Sequence, residues 1–376
     1  MNITFANLVV KRLVFLAFCT LSLTFGIASA NTNDVARVSS EVKMFGETFT
    51  SMSEYVESDV FRDNGGRCGF EMAEPRARSH GANRLTEPQA NPVGDCTASL
   101  TKIKGKYDLS SGLEIKIWFH VIQNASGAGA ISNAEIDAQI QALNEDYLAS
   151  GGTLGQDGYP SKIRFALAGV TRTTNTSWYN DSQSAELEYK TALGRNQGKF
   201  LNVYANSASG FLGYAYFPTG GIAGSVYDGV TILSGSVGGR DNGFSVYDQG
   251  RTLTHEVGHY LGLEHTFGRE NTCSNTFSGG DFITDTPAEN ASYDNTNGSC
   301  PNSITAFGNT CGVQRAVANY MNYNRDSCMD NFTSEQSNRM VCSLLTYRPM
   351  LGNVVETSTG LITPVYNLLL DEDDPI

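Results

Sequence analysis

Residues 255–265 read His255-Glu256-Val257-Gly258-His259-Tyr260-Leu261-Gly262-Leu263-Glu264-His265. On a helix, side chains four residues apart share a face, so His255 and His259 can reach one metal ion. Glu256 follows the first of them, roughly 100° further round the helix. From there its carboxylate can touch a water at the metal without ligating the metal itself. Gly262 permits the left-handed conformation that ends a helix and turns the chain. The turn brings in His265 as a third ligand and leaves a fourth position open. The chain has five histidines, the other two being His80 and His120, so three in eleven residues is not incidental.

Three imidazoles with an open position form a catalytic rather than a structural site, and zinc is the metal that suits them. Zinc lowers the pKa of its water to about 7. Glu256 can then take the proton and deliver it to a leaving nitrogen. Peptide-bond hydrolysis is the expected reaction.

Around this segment the pattern is that of an α+β protein. Leu113, Ile115, Ile117, Phe119 and Val121 alternate over Leu113–Ile122, which predicts a strand. Ser132 and Glu135 form a capping box, and Ile136, Ile140, Leu143 and Tyr147 follow at helical spacing. Further strands are expected at Lys162–Val170, Lys199–Ala205, Leu212–Pro218 and Gly229–Leu233. The histidine helix should run from about Gln249 to Leu261. Loops then dominate to Thr333, and Ser334–Leu345 should close the fold as a helix. Residues 31–110 look polar and irregular, with one amphipathic helix around Val42–Phe61 and no internal repeat.

The first thirty residues predict export. Lys11 and Arg12 precede an apolar stretch from Leu13 to Ile27, and Ala28-Ser29-Ala30 offers the small residues of a cleavage site. No later segment is apolar and long enough to span a bilayer. A secreted protein, extracellular or periplasmic and without a stable membrane anchor, is therefore expected. A net charge of −13 repels a phosphate backbone and argues against nucleic-acid partners. The same acidity suits an extracellular protein that holds calcium. Beyond Cys19 seven cysteines remain: Cys68, Cys96, Cys273, Cys300, Cys311, Cys328 and Cys342. The four from Cys273 to Cys328 lie in a Gly/Asn/Ser-rich stretch and should be joined as disulfides in an exported chain. An odd total leaves one thiol for another role.

The three-histidine segment with its glycine is the metzincin signature. Asn319-Tyr320-Met321-Asn322-Tyr323 fits the methionine-containing turn of that group. H-T-F at 265–267, G-D-F-I-T-D-T-P at 280–287, F-T-x-x-Q at 332–336 and L-G-Y-A-Y-F-P at 212–218 narrow the likeness. Together they resemble the pappalysin family over roughly Leu113–Leu345. The resemblance implies a metzincin-like zincin. Its N-terminal subdomain would hold a mixed twisted sheet, a backing helix and the active-site helix; its C-terminal subdomain would be loop-rich and stapled by disulfides. It implies that Met321 is the Met-turn residue and that Tyr323 stabilises the tetrahedral intermediate. Gly213, Tyr214, Ala215 and Tyr216 would belong to an edge strand that binds an extended protein or peptide substrate through main-chain hydrogen bonds.

Asp281, the Thr284 carbonyl and Thr286 match the family's calcium loop, oxygen ligands suiting that hard cation. Family pairing joins Cys273 to Cys311 and Cys300 to Cys328, and Cys96 with Cys342 is a further expected bridge. Cys68, in Arg67-Cys68-Gly69, resembles the pro-segment cysteine whose thiolate occupies the open zinc position; a disulfide to Cys96 is the other reading. The expected division is a signal at 1–30, a pro-segment at 31–100 and a catalytic domain at 101–348. An acidic tail at 349–376 has no assigned role. Processing is expected between about Ala98 and Lys106, and the mature enzyme should be a monomer.

One position departs from the family. Relatives that prefer a basic side chain after the scissile bond carry an acid directly before the cysteine equivalent to Cys328. Here that pocket residue is Ser327, with Asp326 one step earlier, so such a preference is not implied. A competing class, a metal-holding binding protein or adhesin without turnover, has no use for Glu256.

Overall fold

A computed structural model of the chain describes residues 41–70, 111–181, 183–219, 221–238, 244–268, 280–290 and 316–355, with Tyr107, Cys273, Cys300 and Cys311. The expected signal, the processing region and the acidic end of the tail lie outside these residues. Among the described residues no helix is long and apolar enough to cross a membrane.

The segment expected as one helix over Val42–Phe61 folds otherwise. Strands β1 (Val42–Met44) and β2 (Glu47–Phe49) pair as an antiparallel hairpin. Phe45 and Gly46 both have positive φ there, as a tight hairpin turn requires. Ser51 and Ser58 then each cap a backbone N–H, splitting the rest into two short helices, α1 (Met52–Glu57) and α2 (Asp59–Asp63). Serine capping chemistry outweighs the amphipathic spacing.

The main sheet begins with β3 (Gly112–Gln123). The expected capping box starts α3 (Asn133–Tyr147) at Ser132. Strand β4 (Ile163–Thr174) follows, then α4 (Thr176–Tyr179), α5 (Gln183–Leu193) and β5 (Leu201–Asn206). Strands β6 (Gly213–Tyr214) and β7 (Val230–Leu233) complete one side. The histidine helix is α6 (Arg251–Tyr260), the closing helix is α7 (Ser334–Tyr347), and β8 (Gly352–Val355) comes last. The order β4-β3-β5-β7-β6 is parallel through β7, with β6 antiparallel at the edge and β8 antiparallel to β3. The sheet is thus mixed, as expected. Strand β8 was not foreseen: the stretch expected to start an unassigned tail adds a strand instead.

The alternation in β3 sends Leu113, Ile115, Ile117, Phe119 and Val121 to one face, against Ile136, Leu143 and Tyr147 of α3 and Leu253 and Val257 of α6. On the other face Ile122 packs with Tyr189 and Tyr204, and with Trp178, Tyr179 and Leu193 from the unforeseen α4 and α5. The histidine helix therefore rests on a sheet clamped on both sides. Burial of such side chains contributes roughly 1.5–3 kcal/mol each and fixes where α6 lies.

Candidate metal centre and substrate cleft

The Nε2 atoms of His255, His259 and His265 converge: 3.1 Å separates His259 from each of the other two, and 3.3 Å separates His255 from His265. His255 Nδ1 lies 2.6 Å from the Tyr320 carbonyl and His259 Nδ1 2.7 Å from that of Leu263. A carbonyl can only accept, so both Nδ1 atoms carry the proton and both Nε2 lone pairs face inward. Bare lone pairs so close repel one another unless a cation sits among them. Tetrahedral ligands at about 2.0–2.1 Å from zinc lie roughly 3.3–3.4 Å apart, so the spacing fits. Burial holds His255 down at about 3, which keeps its imidazole in the neutral, ligating form.

Two glycines make this geometry. Gly258 lies between the helical histidines, and a side chain there would meet Met321 Sδ at 2.4 Å. Its absence lets the buried Met321 pack directly beneath the site. Gly262 has φ of +91°, and Leu263 N–H returns to the Gly258 carbonyl at 2.9 Å, closing the helix so that His265 swings back. Thr266 N–H donates to the Met321 carbonyl at 3.2 Å, tying the exit loop to the methionine turn. The Tyr323 ring stands 4.8 Å from that of His265 and 5.9 Å from that of His255.

Glu256 is buried and faces β6, where a side chain at Gly213 would come within 2.8 Å of its Cγ. Burial lifts its carboxyl to about 8, with the Cys68 thiol and Arg67 pulling the other way. The edge strand itself is short: only Gly213 and Tyr214 pair with β7, while Ala215 to Phe217 continue without a strand ladder. Its side chains are committed inward. The Asp181 carboxylate accepts from the hydroxyls of Tyr189 (3.0 Å), Ser209 (2.9 Å) and Tyr214 (3.0 Å). Tyr216 donates to Glu186 at 2.9 Å, and Glu186 is paired with the equally buried Lys190 at 2.8 Å. Those four residues, Asp181, Glu186, Tyr189 and Lys190, escaped the sequence reading. The Glu186–Lys190 spacing was its one visible trace.

Cys68 is in no disulfide, so the alternative pairing with Cys96 is not adopted. Its sulfur and the ligand atoms of the three histidines all lie within 4.8 Å of one another, and it is 3.6 Å from Glu256 Oε2. The segment carrying it runs along the edge strand: Leu212 N–H donates to the Gly66 carbonyl and Gly69 N–H to the Gly213 carbonyl, both at 2.8 Å. Phe70 stacks on His259 at 4.2 Å. Arg67 is buried over the Tyr247 ring at 4.1 Å, donates to the Asn324 carbonyl at 2.5 Å and attracts the Asp326 carboxylate.

The remaining expected residues are spread more widely. Ser327 is exposed, its carbonyl 3.3 Å from Cys300 Sγ, while Asp326 is buried and takes the N–H groups of Gln249 (2.9 Å) and Arg251 (3.1 Å) at the start of α6. The carboxylate of Asp281 is buried and accepts from Thr286 Oγ1 at 2.7 Å. The Thr284 hydroxyl turns to Glu335 at 2.7 Å. Disulfides join Cys273 to Cys311 and Cys300 to Cys328, as expected. Cys342 is also disulfide-bonded; Cys96, its expected partner, lies outside the described residues.

A family model described as pregnancy-associated plasma protein-A, of the M43 peptidases, matches residues 180–345. The extracellular metalloprotease of Colletotrichum graminicola is 38% identical over 260 residues, 66% of this chain and 82% of the relative. Extracellular metalloprotease 1 of Coccidioides posadasii is 34% identical over 277 residues, 71% of this chain and 90% of that one. Among solved structures, mature mirolysin of Tannerella forsythia in complex with a cleaved peptide is 32% identical. It covers 65% of this chain and 100% of its own, with a TM-score of 0.53. A promirolysin mutant from the same organism is 30% identical and covers 76% of this chain and 97% of its own, with a TM-score of 0.58. With the α+β fold and the converging histidines, these likenesses identify the chain as a metalloprotease of the M43 peptidases, the pappalysin family.

Proposed function

We propose that the chain is a secreted zinc metalloendopeptidase made in a latent form. The observation that carries this is the meeting of three imidazole Nε2 atoms, with the tautomers of His255 and His259 pointing bare lone pairs at the shared spot. His255, His259 and His265 would hold the zinc. Zinc bound there supplies a Lewis acid and acidifies the water that attacks the peptide carbonyl. Glu256 accepts that water's proton and returns it to the leaving nitrogen, being buried beside the site with no ligating role of its own. The Tyr323 hydroxyl donates to the oxyanion as it forms, and Met321 sets the floor under the ligands. An extended substrate would add to the edge at Gly213–Tyr216 through main-chain hydrogen bonds, the Tyr214 and Tyr216 side chains being turned inward. Ser327 would be the pocket residue beyond the scissile bond.

Latency follows from Cys68. Its sulfur lies among the three imidazoles and would take the zinc's open position as a thiolate, and residues 66–69 run along the strand edge that substrate would need. The promirolysin likeness, which spans more of this chain than that of the mature enzyme, supports a pro-segment of this kind. The extracellular relatives support export. Calcium at Asp281, the Thr284 carbonyl and Thr286 would hold in its ionised form a carboxyl that burial otherwise pushes up to about 8.

Cleavage of an unstructured protein substrate by the processed enzyme, abolished by chelation and restored by zinc, is the expected result. No cleavage with zinc and calcium present would end the enzyme reading. Cys68→Ser should give the unprocessed chain activity that the wild type lacks; unchanged latency would remove the thiol from the account.

A further inference from the structure

His255 and His259 each have a carbonyl partner for the outer nitrogen, and the two partners differ in kind. His259 uses the Leu263 carbonyl, four residues on in its own helix exit. His255 uses the Tyr320 carbonyl, 65 residues away. A local bond is fixed by the helix end; a distant one needs something to hold the two chain segments in register.

We propose that Asp146, at the end of the backing helix α3 and outside the cleft, is the positioning residue that supplies this register and so sets the metal affinity of the site. This rests on reading the three histidines as a zinc site. Its two oxygens reach both sides of His255. Oδ2 accepts from Thr254 Oγ1, the residue before His255, at 2.6 Å. Oδ1 accepts from the Tyr320 hydroxyl at 2.8 Å, and Tyr320 carries the carbonyl that orients the His255 ring. Arg251, the first residue of α6, approaches Oδ1 at 3.2 Å, and Tyr147, next to Asp146, donates to the Thr254 carbonyl at 3.1 Å. One carboxylate thus holds the helix carrying His255 and the turn that orients its ring.

The chemistry favours this role over simple packing. Asp146 is fully buried, and burying a carboxylate is costly even when it is paired. Apolar contact would join α3 to α6 without that cost, whereas a carboxylate can fix two hydroxyl donors at set angles and attract a guanidinium as well. Groups behind a metal-ligating histidine tune affinity by fixing its tautomer and ring plane.

The test uses the full-length chain with its metal removed and returned. Zinc affinity is read by competition with a chromophoric chelator, and ligand geometry by the visible spectrum of the cobalt form. Asp146→Asn should weaken zinc binding roughly 10- to 100-fold and alter the cobalt spectrum. Tyr320→Phe, which removes one hydroxyl and leaves the carbonyl, should weaken it less. Asp228→Asn breaks another buried ion pair, that with Arg348, and should lower thermal stability without changing affinity. Wild-type affinity and spectrum in Asp146→Asn would overturn the proposal, making Asp146 a stability element only. Should Asp146→Asn not fold, unchanged affinity in Tyr320→Phe would overturn it equally. If the wild type takes up no zinc, the metal-centre reading itself is what fails.

Discussion

On one side, eleven consecutive residues bring together three converging imidazoles, the buried Glu256 carboxyl and the two glycines that shape their helix. On the facing side, the strand edge is two paired residues long and stands on side chains drawn from positions 181, 186, 189 and 190. The first wall is local and bent by backbone conformation: Gly262 turns the helix and Gly258 admits Met321. The second is assembled through tertiary contacts, with Asp181 and Glu186 each gripping a tyrosine of the strand segment from behind. On the proposed function, chemistry would be concentrated in the local unit and substrate alignment would depend on the assembled network, which several distant changes can loosen.

That contrast sets an order of effects. Glu256→Ala, on the local wall, should lower kcat by about 10²–10⁴ while the enzyme keeps its zinc; retained turnover would show that another group moves the proton. On the assembled wall, Tyr214→Phe removes one donor to Asp181 and should cost about 1–3 kcal/mol of stability. It should also raise KM several-fold with kcat little changed. A fall in kcat at constant KM would mean that the strand acts on the chemistry, blurring the division.

A smaller effect concerns the layer behind the strand. His120 is buried between Thr171 Oγ1 at 2.7 Å and Asn202 Oδ1 at 2.9 Å, and burial depresses its pKa to about 4. The unfolded chain takes up that proton near 6.5. Its contribution is therefore fully present above pH 6.5 and is lost as pH falls towards 4. Melting temperature should decline across that window, and less steeply in His120→Asn. An equally steep decline in the variant would place the acid sensitivity elsewhere.

The two walls also differ in how far the sequence reveals them. The histidine segment is legible because helical spacing converts directly into a shared face, and the strand alternation of Leu113–Ile122 because period two does the same for a sheet. Two short helices at Thr176–Leu193 were missed: the first is a single turn with no buried residue, and the second buries Glu186 and Lys190, a charged pair that reads as solvated surface until each is seen to satisfy the other. The hairpin at Val42–Phe49 was mistaken for helix because its turn depends on Phe45 adopting positive φ, which spacing does not reveal. Asp146 carries no local sequence signal. Its partners Thr254 and Tyr320 are 108 and 174 residues away.

X-ray absorption at the zinc edge on the purified unprocessed chain, beside a His265→Ala variant, tests the metal centre most directly. One zinc per chain is expected, with three imidazole nitrogens at about 2.0–2.1 Å and one sulfur at about 2.3 Å. The sulfur should vanish on processing, and one nitrogen should be missing in the variant. Absence of stoichiometric zinc, or a shell unchanged by loss of His265, would contradict it.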